Sequence, residues 1–253
     1  MDLGVRRRLV LGVGSNVYGQ IVTVAVQVAG VPLLLGAWGH RLYGEWLILF
    51  AIPAYLSMSD LGFSQSAANS MTSLVGRGDR RGALRTFRSL GALVTIVSPG
   101  GLAAVAALVP ILPLGEWFSL RALQDAEIRW VVWLLAAEVF VRLLGGWIHA
   151  GFRASGDYGF HLGFENSARL VQNLALWGVA LAGGGPVAGA ASFLAVRLAS
   201  TPVAAGLLFH RHPWLRESAD GTRLGDLRPL LRPALANTAI PVSQALQIQG
   251  SVL

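Results

Sequence analysis

Apolar runs recur along the whole chain, each about as long as the ~20 residues a helix needs to cross ~30 Å of hydrocarbon. They predict spans near residues 9–36, 46–74, 89–113, 129–151, 158–183 and 186–209, with a seventh opening near 230. The connections, 37–45, 75–88, 114–128, 152–157, 184–185 and 210–229, are too short to hold a folded domain outside the membrane. The pattern therefore predicts an all-α membrane protein. Residues 1–228 form a six-span lobe, and 229–253 begin a further span. The run that follows the basic cluster Arg6, Arg7 and Arg8 reads as a retained first span, because it continues to about Gly36 and shows no small-residue cleavage site. "SPGG" at 98–101 and Pro241 mark places where a helix could kink or break and free backbone groups toward a cavity.

Polar positions inside these runs fall at helical spacing. The first span aligns Asn16, Gln20, Thr23 and Gln27; the second aligns Ser57, Asp60, Ser64 and Ala67. The fourth aligns Glu138, Arg142, Gly145 and His149, and the fifth Tyr158, His161, Glu165, Arg169 and Gln172. The seventh aligns Asn237, Gln244, Gln247 and Ser251. One polar stripe on each of five segments predicts a shared wet interior, since lipid leaves such groups unsatisfied. Helix-to-helix hydrogen bonding alone would also account for the uncharged members.

The charged members are harder to explain that way. Asp60, Glu138, Arg142, Glu165, Arg169 and Arg197 each cost about 2.5–3.5 kcal/mol near the bilayer centre. Glu138 with Arg142, and Glu165 with Arg169, stand four residues apart, where local ion pairs can form. Asp60 and Arg197 have no such neighbour and must find partners across the bundle. Arginine in a hydrated cavity suits phosphate, because its planar fork stays charged and holds two oxygens. A nearby carboxylate can couple anion binding to an ion. The candidate substrate-binding residues are thus Arg142, Arg169, Arg197, Gln20, Gln172 and Gln244, and the candidate charge-coupling residues are Asp60, Glu138 and Glu165.

Composition narrows the class. Of the 253 residues, 54% are hydrophobic and 13% charged, against about 25% charged in soluble domains. All 20 basic residues are arginine, so no lysine is available for Schiff-base chemistry, and the absence of cysteine removes thiolate metal sites and thiol nucleophiles. The formal charge of +7 comes from arginines beside the spans, 14 on the N-terminal side against 3 on the other. That split orients the N-terminus to the cytoplasm and makes nucleic acid an unneeded partner. His210 and His212 lack a third ligand nearby, so neither a metal nor another cofactor is expected.

"LYGEWLILFAIPAYLSMSDLGF" at 42–63, the basic cluster before a long first span, and "ANTAIPVSQALQIQGSVL" at 236–253 resemble the Wzx-like O-antigen and polysaccharide flippases of the MOP superfamily. Tyr43, Gly44, Asp60, Leu61, Gly62 and Phe63 carry the second-span pattern. The resemblance implies the N-terminal half of a two-lobed bundle in the bacterial inner membrane. Its activity would be transport of a polyprenyl-diphosphate-linked oligosaccharide by alternating access, for O-antigen or other surface polysaccharide. Implied partners are that lipid-linked glycan, membrane lipid, a second lobe and polysaccharide-assembly proteins. Alternatives are a multidrug or small-molecule antiporter of the same superfamily and a membrane-embedded glycan polymerase or transferase. The charges of spans four to six match no fixed motif of the family, so their roles rest on the physical argument. A transporter, not an enzyme, is the expectation.

Overall fold

Helix is the only regular structure among the described residues, 3–57 and 63–217 of this computed structural model. The elements are α1 (Leu3–Ser57), α2 (Phe63–Gly76), α3 (Arg80–Leu108), the single turn α4 (Leu114–Trp117), α5 (Asp125–Ala154), α6 (Tyr158–Leu181) and α7 (Pro186–Arg211). A 3-10 turn at Pro213–Arg216 follows. Four helical stretches are long and apolar enough to cross a membrane: Val10–Ala51, Arg80–Leu108, Asp125–Ala154 and Pro186–Arg211. The chain is therefore a helical, membrane-embedded protein.

The boundaries differ from the sequence expectation in instructive ways. Residues 37–45 are not an open loop, since α1 continues through them with one non-helical residue, Gly39, at φ 73° and ψ 169°. At ~1.5 Å per residue, the 42 residues from Val10 to Ala51 far exceed one bilayer thickness, so the bend at Gly39 decides how they fit. A positive φ with extended ψ is open to glycine and strained for residues with a Cβ. Of the expected span 46–74, residues 46–57 belong to α1 and 63–74 to α2, while 58–62 lie outside the described residues. Pro99 sits inside α3 without ending it. α6 has the length of a span, but its polar residues keep it out of the apolar set. The expected seventh span at 229–253 lies outside the described residues.

α5 is the central helix: half of its apolar stretch is buried, against about a fifth in α3 and α7. It packs on α7, α3, α2 and α1, while α6 runs against α1 and α7. Where α1 crosses α6, Gly159 lies so close that a Cβ would stand 2.8 Å from the Gly12 backbone nitrogen. Ser15 donates to the Gly159 carbonyl there at 2.6 Å, and Asn166 donates to the Ser15 carbonyl at 2.9 Å.

Burial divides the bundle into three layers. One apolar cluster joins Met71 of α2, Phe87 and Leu90 of α3, Ile148 and Phe152 of α5 and Leu208 of α7. The other joins Trp46 and Leu49 of α1, Val131 and Leu135 of α5, Leu176 of α6 and Phe193 of α7. Between them α5 passes Glu138 and Arg142, α6 passes Glu165, Arg169 and Gln172, and α7 passes Arg197. The polar stripes read from the sequence on α5 and α6 meet Arg197 of α7 in this middle layer.

Candidate functional site: an ion-pair layer between two apolar cores

Glu138 stands near the midpoint of α5 and is 5% exposed. Its Oε2 accepts from Arg142 Nη2 at 2.8 Å, the expected one-turn pair. Its Oε1 accepts from Arg197 Nε and from Gln172 Nε2, both at 3.3 Å. Arg197, also 5% exposed, donates in addition from Nη1 to Glu165 Oε2 at 2.9 Å, and at a long 3.5 Å from Nη2 to Gln172 Oε1. Gln172 Nε2 also reaches the Phe193 carbonyl at 3.1 Å, which fixes the orientation of its amide. Arg197 thus ties α7 to α5 and α6 at once, and all three of its nitrogens are engaged.

The second pair expected from spacing, Glu165 with Arg169, does not form. Glu165 turns to Arg197, and Arg169 instead donates from Nη1 to the Thr23 hydroxyl on α1 at 3.1 Å. Thr23 uses its own proton on the Gly19 carbonyl at 2.8 Å. The reason is electrostatic: Arg197 is buried and needs a second carboxylate, whereas Arg169 is exposed and can be solvated. Among the described residues Arg169 makes no salt bridge.

These groups line a cavity of about 440 Å³ among α1, α5, α6 and α7, within the ~300–1,000 Å³ range of small-molecule sites. Val26, Phe50 and Phe193 supply apolar wall, and Asn166 and Asn173 supply amides. Its charged lining is Glu138 and Glu165 against Arg142, Arg169 and Arg197, so three cations against two anions leave one formal positive charge. The buried pair Glu138–Arg197 is closed, while the Arg142 side chain is 48% exposed and Arg169 is exposed as well. The guanidinium groups available to a ligand are therefore those of Arg142 and Arg169. Arg197 organises the layer.

Of the residues singled out from the sequence, Glu138, Arg142, Glu165, Arg169, Gln172 and Arg197 come together here. Gln20 does not line the cavity; it stands exposed on α1, as do Asn16 and Gln27. Asp60 and Gln244 lie outside the described residues. Among the described residues no group of three metal-ligating side chains occurs.

Sequence reasoning missed Glu45, which is 7% exposed at the far end of the bundle. Its Oε1 accepts from the backbone N–H of Arg121 at 2.7 Å and of Ala122 at 2.6 Å, and its Oε2 from that of Leu123 at 3.1 Å. The carboxylate folds the α4–α5 connection onto α1. Its position in an apparent loop hid it, and the apolar run beginning at Trp46 was the available signal. No protein-family model, curated protein or solved structure matches the chain.

Proposed function

We propose that this chain moves a polyprenyl-diphosphate-linked oligosaccharide across the bacterial inner membrane, as one six-span lobe of an alternating-access transporter with a cytoplasmic N-terminus. What carries the reading is the surplus positive charge of the mid-layer cavity, presented by Arg142 and Arg169 beside a closed ionic core. A guanidinium in a low-dielectric, partly wet site favours a diphosphate over a neutral sugar or a cation. The exposed polar stripe Asn16, Gln20 and Gln27 on α1 supports a further wet surface, where a second lobe or the glycan would lie. The resemblance at 42–63 points the same way.

The test is equilibrium binding of a polyprenyl-diphosphate glycan to the chain in lipid nanodiscs. Arg142→Ala and Arg169→Ala are each expected to weaken binding at least tenfold, about 1.4 kcal/mol. Unchanged affinity in both variants, or equal binding of the same lipid without phosphate, would overturn the reading. Tighter binding of a lipophilic cation would turn it toward the small-molecule antiporter.

A further inference from the structure

A cleft of about 800 Å³ opens between the N-terminal parts of α1 and α6 and the last turn of α7, and it shares no lining residue with the ion-pair cavity. It lies where α1 enters its apolar stretch at Val10 and α7 leaves its own at Arg211, the level at which lipid headgroups give way to chains. Leu11, Phe160 and Phe164 give it apolar lining, and Ser15, Tyr18 and Ser167 bring hydroxyls. One turn past Tyr18, Ile21 is 61% exposed, so apolar surface continues along α1 toward the middle of the span.

Among the described residues the charged lining of this cleft is Asp157 and Arg211. The Arg211 guanidinium lies over the Phe160 ring, 3.8 Å from its centroid, and donates from Nη1 to Asp157 Oδ2 at 3.2 Å. The same oxygen meets His212 Nε2 at 3.0 Å. Asp157 Oδ1 and the other Arg211 N–H groups have no partner among the described residues. Stacking holds the guanidinium against the ring and leaves its edge donors open. Both side chains can be reached from outside, at 42% and 32% exposure.

The mouth of the cleft thus presents one cation beside one anion. A simple anion gains from Arg211 but is repelled by Asp157, and a simple cation meets the reverse. A zwitterion satisfies both, because a phosphate takes the guanidinium edge while an ammonium donates to Oδ1. With apolar lining beside that pair, the matching ligand is an amphiphile whose headgroup carries a phosphate and a primary ammonium. A quaternary ammonium has no N–H to donate, and the Phe160 face it would seek is occupied by Arg211.

We propose that this cleft is a binding site for phosphatidylethanolamine. The phosphate sits on Arg211, the ammonium on Asp157, and an acyl chain runs past Leu11 and Phe164 toward Ile21. The lipid fills the space beside the α1–α6 crossing and joins the end of α7 to α1, which Ser15 already ties to α6. The site does not depend on the transport reading.

The test offers the full chain, purified in detergent, equal amounts of phosphatidylethanolamine, phosphatidylcholine and phosphatidylglycerol with identical acyl chains. Bound lipid is counted by native mass spectrometry. Retention of the ethanolamine lipid is expected to exceed that of each other lipid about fivefold, the value of one exposed charge pair near 1 kcal/mol. In Asp157→Asn the preference should pass to phosphatidylglycerol, and in Arg211→Ala the three lipids should be retained alike. Arg211→Lys, which keeps the charge and the fold, should keep part of the ethanolamine preference. Equal retention of the three lipids by the parent, or a parent preference for phosphatidylglycerol, would overturn the proposal. So would an ethanolamine preference that survives Asp157→Asn. Soluble phosphoethanolamine at millimolar concentration should leave the bound lipid in place; displacement would show that the headgroup alone is the ligand and would remove the lipid site.

Discussion

Glu45 and Glu138 are buried to nearly the same degree, yet they are held by different kinds of donor. Glu45 accepts three backbone N–H groups from one connection and touches no cation among the described residues. Glu138 accepts from side chains of three helices, two of them arginines. Backbone donors move only when the chain moves, so Glu45 fixes a shape. Side-chain donors can change rotamer and partner, so the Glu138 layer can exchange one arrangement for another. Burial of a carboxylate therefore says little about function; the nature of its donors says more.

The largest expected effect is that of Arg197→Ala. It strands Glu138 and Glu165 without their shared cation, and a broken buried pair costs about 3–5 kcal/mol. Thermal unfolding in detergent micelles should show it, with Arg197→Lys intermediate because an ammonium lacks the three-way fork. A variant as stable as the parent would mean that the middle layer does not hold α5, α6 and α7 together. Next comes Glu45→Ala, at about 2 kcal/mol, since hydrogen bonds to a charged group are worth roughly 1.5–3 kcal/mol and three backbone donors lose their acceptor. Its effect should be local. Hydrogen exchange at Arg121, Ala122 and Leu123 should accelerate, while exchange in α7 stays as it was, and a change spread over the whole bundle would erase the contrast with Glu138.

Substituting Gly39 by Ala should cost about 1 kcal/mol, from the strain of a Cβ at φ 73°. Cross-linking distances between the two parts of α1 would register a changed bend. The smallest stability effect is expected for Arg142→Ala. Its half-exposed ion pair is worth at most about 1 kcal/mol, so unfolding should barely move even though diphosphate binding falls tenfold. A large loss of stability would place Arg142 with Arg197 among the residues that hold the layer.

Periodicity found the fold class and most of the middle layer because a 3.6-residue repeat is a property of single helices. The faces bearing Glu138, Arg142 and His149 on α5, and His161, Glu165 and Gln172 on α6, could be read without knowing what they meet. The exchange of partners between Arg169 and Arg197 could not. It depends on which guanidinium is buried, a property of three helices packed together. Glu45 escaped because its partners are backbone groups 76 to 78 residues away, which leave no side-chain signature. The bend at Gly39 was mistaken for a loop because a lone glycine between apolar runs looks the same whether the helix resumes at once or not.

The one-turn pairing of Glu138 with Arg142 matters most before the molecule is finished. A ribosome delivers Glu138 to the bilayer 59 residues ahead of Arg197, so during that interval the acid has no other strong cation close at hand on its own helix. Carrying its counter-ion on the adjacent turn lets the segment enter oil as a nearly neutral rod. When α7 arrives, the carboxylate is already desolvated and aimed, and only one further cation has to be brought into hydrocarbon.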